Sequence, residues 1–233
     1  MNYKTKLKNI KAMAFDVDGV FTDGTVQLWP GQEPIRNFHS KDGYAVQVAA
    51  RQGILMAAIT GGKSETVKER MKGLGVQDVW LGARHKIEAY EEWLAMYDLR
   101  DEEVLYMGDD LPDMEVLLRV GLSCCPHDSA PEVRAIVDYI SPIEGGRGCV
   151  REVIEQVLRA QGTYTHLISD HYHYWEDGGA TYHNRYSSWE FIRGQEWDKW
   201  KAMVQPPLER FKQMYHPMQQ PEGPNDGRLQ TMV

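Results

Sequence analysis

The sequence predicts an α/β fold, a doubly wound and mostly parallel sheet with helices on both faces. Two observations carry this expectation. Short apolar runs alternate with segments of helical periodicity as far as about residue 162. Several of those runs end abruptly in polar groups: Asp16 after the first, Thr60 after the second, Asp109 and Asp110 after the fourth. Asp is a poor strand residue and costly to bury. In an open parallel sheet, however, ligands bind beyond the carboxyl ends of the strands, where such residues have a use.

The elements follow in order. Residues 10–15 (IKAMAF) read as a buried strand. "GVFTDGTVQLWPGQEPIRNFHSKDG" alternates apolar positions around the turn signal "WPGQEP" and reads as a protruding β-hairpin. A helix over 43–52 comes next, then the buried strand "ILMAAIT". "GGKSETVKERMKGLG" closes on Gly73 and Gly75, as a capped helix does. "VQDVWLG" is a third strand. "HKIEAYEEWLAMYDL" places Ile87, Tyr90, Trp93 or Leu94, and Tyr97 on one helical stripe. "EVLYMG" is the fourth strand, "PDMEVLLRVG" a short helix and "LSCC" the fifth strand. A helix in "PEVRAIV", a strand in "DYIS" and a final helix in "GGRGCVREVIEQVLRAQG" complete the alternation.

The 233 residues suit one ordinary domain, 1–162, plus an extension, 163–233. With 42% hydrophobic residues the chain can bury a sizeable core. A net charge of −8 argues against a nucleic-acid binder, and no basic amphipathic stretch or long apolar run points to a membrane. The first fifteen residues lack the apolar core of a signal peptide, so a cytoplasmic protein is expected. The three cysteines, Cys124, Cys125 and Cys149, have no zinc spacing and are expected to be buried reduced thiols. After residue 162 the chain is crowded with Tyr, Trp and His. His166, His171, His173 and His183 have no matching cysteine and no HExxH signature, so the segment reads as an interface rather than a metal site. The final ten or so residues are expected to be disordered.

Carboxylates from separate strand ends would repel one another unless a cation neutralised them. Oxygen donors suit magnesium, which also bridges to phosphate oxygens. One carboxylate can then attack phosphorus, and another two residues on can work as acid and base. Lys86 balances the charge, and the Gly61–Gly62 turn offers backbone N–H donors.

"DVDGVFTDG", "ITGGKS", Lys86 and "GDDLPD" together resemble the four motifs of the haloacid dehalogenase phosphohydrolase superfamily, in order and at strand ends. The resemblance implies an aspartyl-phosphate mechanism with Mg2+. Asp16 would be nucleophile and metal ligand. Asp18 would be the acid/base and ligate the metal through its carbonyl. Thr60 and Gly61 would hold phosphate. Lys86 would orient the nucleophile, and Asp109 would bind metal with Asp110 and Asp113 behind it. Residues 19–59 and 61–85 have no room for a cap domain. An uncapped site needs another way to exclude water.

With "KDGYAV" and "GGRGCVREVIEQVLRAQG" included, residues 8–162 resemble the capless 3-deoxy-D-manno-octulosonate 8-phosphate phosphatase family. That implies a sugar-acid phosphate as substrate, a role in lipopolysaccharide synthesis and a homotetramer. Its apolar hairpins, here with Val20, Phe21, Val26, Leu28 and Trp29, meet at the centre, and the segment after the last helix covers a neighbour's site. Lys41, Asp42 and Arg147 would border the substrate, and His39 lies beside them. Two positions depart from the family's pattern. Gly62 stands where relatives often have Arg, so an anion contact is either missing or passes to Lys63. His85 stands where relatives often have Asp. A phosphatase of a nine-carbon ulosonate 9-phosphate and a noncatalytic oligomeric binding protein on the same fold remain alternatives.

Overall fold

The computed structural model describes residues 2–162 and two short strands beyond them, β7 (His166–Ser169) and β8 (Ser188–Phe191). The chain divides into two compact units, Met1–Gly162 and Thr163–Val233.

The first unit is built on six strands: β1 (Ala12–Phe15), β2 (Leu55–Ile59), β3 (Asp78–Trp80), β4 (Val104–Met107), β5 (Leu122–Cys125) and β6 (Tyr139–Ile140). They form one sheet in the order β3-β2-β1-β4-β5-β6, and every pairing is parallel. β1 is central, with Ala14 opposite Ala57 of β2 and Tyr106 of β4.

Strands buried on both faces need apolar residues at every position, and β1 and β4 are buried throughout. The pleat sorts these residues into two cores. Met13 and Phe15 of β1, with Leu105 and Met107 of β4, join α1 (Ser40–Arg51), α2 (Glu65–Leu74) and α6 (Cys149–Ala160). Ala12 and Ala14, with Val104 and Tyr106, join α3 (Lys86–Tyr97), α4 (Met114–Leu117) and α5 (Pro131–Ile136). On α3 the buried stripe is Ala89, Tyr90, Trp93 and Leu94, with Ile87 and Tyr97 at its edges. Truncating a buried aromatic such as Trp93 costs about 3–5 kcal/mol. α2 stops at Gly75, whose φ of 94° turns the backbone left-handed.

The three cysteines are buried and unpaired. No cap domain interrupts residues 19–85. Among the described residues no helix is long and apolar enough to cross a membrane.

The expected hairpin is present in minimal form. Residues 25–36 form an arm in which a single antiparallel bridge joins Gln27 to Ile35, and a turn closes through Gln32 N–H to the Trp29 carbonyl. Its apolar residues divide. Val20 and Phe21 at the base are buried, whereas Leu28 is 74% and Trp29 58% exposed. A two-stranded ribbon without a packed face is marginal in water, which accounts for the minimal pairing.

In the second unit β7 and β8 pair in parallel, Leu167 opposite Trp189. The expectations for His171, His173 and His183, and for the final residues, lie outside the described residues.

Candidate active site

The crevice lies where the strand order reverses, between the carboxyl ends of β1 and β4. Asp16 extends the β1–β4 ladder by one step, its N–H donating to the Met107 carbonyl at 2.9 Å. Its Oδ1 accepts the Val17 N–H at 2.6 Å, and its Oδ2 meets Lys86 Nζ at 2.8 Å. Lys86 is the first residue of α3 and is buried. A cation there opposes the helix dipole, so the flanking carboxylates must hold it.

Asp113 is the second of those carboxylates and is fully buried. Its Oδ1 accepts from Lys86 Nζ at 2.7 Å and from the Tyr106 hydroxyl at 2.6 Å. Its Oδ2 accepts the N–H groups of Asp109 and Asp110 at 3.1 and 3.3 Å. Both oxygens of Asp113 are thus committed, Oδ1 to holding Lys86 and Tyr106 and Oδ2 to shaping the loop that presents Asp109. Opposite, Gly19 has φ 86°, and a Cβ on it would fall 2.0 Å from Asp109 Oδ2. Only glycine lets the two loops approach so closely.

One oxygen each from Asp16, Asp109 and Asp113 lie within 4.8 Å of one another. Burial, and then the charge of Asp113, push the Asp16 carboxyl up to about 8 against the opposing pull of Lys86. The same two causes raise Asp109 to about 7. Burial works to lower Lys86, but Asp16 and Asp113 outweigh it and hold the ammonium above its ordinary range. Asp109 Oδ1 is buried without a hydrogen-bond partner. Crowded carboxylates, a buried lone oxygen and donors that are all hard oxygens fit a magnesium ion.

The other expected residues are placed as follows. Thr60 is buried at the end of β2, and its Oγ1 accepts the Gly62 N–H at 3.1 Å, so that N–H is used inside the turn. Gly61 precedes it in the same turn and is exposed, as are Asp110 and Lys63. Lys41 and Asp42 lie in the first turn of α1 rather than in a loop. Lys41 is exposed, but Asp42 is fully buried and its Oδ1 accepts the Arg151 N–H at 2.7 Å. Its carboxylate serves the start of α6, where a negative charge is favoured, and offers no surface to a substrate. His39 Nδ1 lies 3.5 Å from Asp42 Oδ2. Arg147 is 65% exposed, 3.9 Å from Asp23. His85 is exposed just ahead of α3.

Two participants were not anticipated. Tyr106 reads as core in "VLYMG", and nothing in its spacing shows that its hydroxyl reaches Asp113. Arg36 lies on the arm, and its guanidinium grips Asp18 with two bonds, Nε to Oδ1 at 2.6 Å and Nη2 to Oδ2 at 3.0 Å. The one available signal was a lone cation amid apolar and neutral neighbours in "PIRNF".

Known proteins are similar to this chain in sequence and fold. A profile for haloacid dehalogenase-like hydrolases matches residues 73–151. The chain is 39% identical over 158 residues to the 3-deoxy-D-manno-octulosonate 8-phosphate phosphatase of Salmonella typhi, covering 68% of this chain and 84% of that one. The chain belongs to the 3-deoxy-D-manno-octulosonate 8-phosphate phosphatase family. Among solved members, the Yersinia pestis phosphatase superposes with a TM-score of 0.68 at 35% identity, covering 70% of this chain and 88% of that one. The Moraxella catarrhalis phosphatase, solved with a magnesium ion, a phosphate ion and the octulosonate sugar, gives a TM-score of 0.66 at 34% identity. It covers 68% of this chain and 91% of that one.

Proposed function

We infer that this chain is a magnesium-dependent phosphatase of 3-deoxy-D-manno-octulosonate 8-phosphate, acting through an aspartyl-phosphate on Asp16. The observation that carries the chemistry is the Asp16 carboxylate, fixed by Lys86 and the Val17 N–H beside a second carboxylate with a buried, unpartnered oxygen. Family membership and the octulosonate-bound relative support the substrate.

Asp16, Asp109 and the Asp18 carbonyl would hold the metal. When bound, it neutralises charge among the carboxylates and the phosphoryl oxygens. Asp16 forms a P–O bond as the bond from phosphorus to the sugar oxygen breaks, and Asp18 gives that leaving oxygen its proton. Asp18 then takes a proton from water, whose oxygen attacks phosphorus and returns Asp16 to a carboxylate with release of inorganic phosphate. Lys86 pulls Asp16 toward its ionised form and aims it. Thr60 Oγ and the Gly61 N–H receive the phosphoryl oxygens, while Lys41 and Arg147 border the sugar. Asp113 holds the Asp109 loop, with Asp110 at its rim.

The exposed Leu28 and Trp29, with Val26 and Ile35 beside them, support a homotetramer in which the arms cover one another. Residues 163–233 would pack on a neighbouring subunit, and the enzyme would be cytoplasmic. Leu28→Asp is expected to lower the mass seen by sedimentation. Deleting 164–233 should change assembly or turnover, and unchanged values would remove that role.

The deciding experiment is phosphate release with magnesium from eight-carbon and nine-carbon ulosonate phosphates and from hexose phosphates. Preference for the eight-carbon acid supports the assignment. Preference for the nine-carbon acid transfers it, and turnover of none returns the chain to a binding role.

A further inference from the structure

The arm reaches back over the site at two points. Glu33 Oε2 accepts from the Ser64 hydroxyl at 2.7 Å, at the start of α2, where a helix favours an anion. Arg36 then passes beneath, its side chain only 10% exposed although the arm around it is open to solvent.

The guanidinium has more donors than its contacts use. Its Nε and Nη2 edge is bonded to Asp18, and Nη1 donates to the Pro34 carbonyl at 3.1 Å. Among the described residues, one N–H hydrogen on each Nη atom takes no further partner. Gly62 stands beside this end of the fork. Its φ lies outside the left-handed region, so the backbone does not demand glycine. The fit is tight instead: a Cβ on Gly62 would lie 3.3 Å from Arg36 Nη2 and 3.4 Å from Thr60 Oγ1. The missing side chain leaves room for a guanidinium between the acid/base and the phosphate-binding turn.

We propose that Arg36 has two working edges: one orients Asp18, and the other binds an oxyanion of the substrate beside Thr60. The fork geometry suits either a phosphoryl group or a carboxylate. The proposal rests on the phosphatase reading and adds a specificity residue supplied by the arm. It also gives Gly62 a role, as the vacancy that admits Arg36.

The test measures kcat and KM for wild type, Arg36→Ala, Arg36→Lys and Gly62→Ala. The substrates are the octulosonate 8-phosphate and p-nitrophenyl phosphate, which has no carboxylate. Inorganic phosphate and the free sugar acid serve as competitive inhibitors. Arg36→Ala should raise KM at least tenfold and lower kcat severalfold, and Arg36→Lys should recover part of the KM. Gly62→Ala should change in the same direction by less. A KM rise on both substrates, with weaker inhibition by phosphate, identifies the phosphoryl group as the anion. A rise on the sugar-acid phosphate alone, with weaker inhibition by the free acid, identifies the carboxylate. A fall in kcat with every KM and inhibition constant unchanged would overturn the proposal and leave Arg36 as a positioning residue for Asp18. Failure of the wild type on the sugar-acid phosphate would refute the substrate assignment instead, and phosphate inhibition of p-nitrophenyl phosphate turnover would still decide the role of Arg36.

Discussion

The carboxylate centre and the arm meet at one site but are held in different ways. Asp16, Asp113 and Lys86 are buried at the ends of strands and a helix, and every oxygen of Asp113 is bonded. The arm has one backbone bridge and is held to the core by side chains, Arg36 on Asp18 and Glu33 on Ser64. Chemistry that tolerates little displacement sits on the rigid scaffold, whereas the residues that sort substrates sit on an element with little stability of its own. Damage to the centre should therefore stop turnover or unfold the protein, and damage to the arm should act mainly on KM, with a smaller effect on kcat through Asp18.

The largest expected effect is that of Asp16→Asn. Turnover should fall at least about 10³-fold, the order expected when a nucleophile is removed. Its melting temperature should hold or rise, because an ionisable group pushed up to about 8 no longer has to be accommodated. A mutant that unfolded would show that the Asp16 carboxylate supports the fold as well as turnover, whereas activity retained would break the assignment of Asp16 as nucleophile.

Asp113→Ala comes next. It leaves the Lys86 ammonium and three neutral donors without their common acceptor. Removing one side of a buried ion pair costs about 3–5 kcal/mol. For a chain of this size that lowers the melting temperature by roughly 10 °C, readable by calorimetry.

The third prediction concerns pH and metal removal. Asp16 at about 8 and Asp109 at about 7 retain protons in the metal-free fold that the unfolded chain has already lost above its ordinary carboxylate range. The native state then binds more protons, so stability falls as pH rises through that window and levels off above about 8. Magnesium binding should release protons across the same window, and its affinity should climb with pH and flatten above it. Titration calorimetry in two buffers of different ionisation enthalpy measures that release. A pH-independent affinity would show that these carboxylates are already charged.

The smallest effect is expected from Glu33→Gln. It loosens the arm without touching the centre, so KM should rise about two- to fivefold. Stability should stay within about 0.5 kcal/mol, as for most exposed sites. An equal fall in kcat would make the arm part of the catalytic scaffold.

Most of the sheet was legible in the sequence because burial on both faces leaves continuous apolar runs, as in "AMAF" and "VLYM". Asp16 and Asp109 were legible because an acid directly after such a run has no reason to be there in a purely structural segment. The arm pairs less than its alternation suggests, because alternation makes long strands only when a partner face exists, and the exposed Leu28 and Trp29 have none within the described residues. Asp42 was misjudged for a related reason. Its partner, the Arg151 N–H, lies 109 positions away, a relation that spacing cannot show. Nor can spacing show which cation stands beside Gly62: Lys63 lies by Gly82, whereas the guanidinium beside Gly62 comes from Arg36.

The loop that follows Asp16 has one further dependence. Gly146 N–H donates to the Val20 carbonyl at 2.9 Å, and Gly145 lies so close that a Cβ on it would fall 1.9 Å from the Gly19 carbonyl oxygen. A nascent chain therefore carries Asp16 and Asp18 long before the segment that braces them has been synthesised. Translation must pass residue 146 before the site can close, and Asp16, Asp18, Asp109 and Asp113 are all synthesised before the segment that braces the first loop.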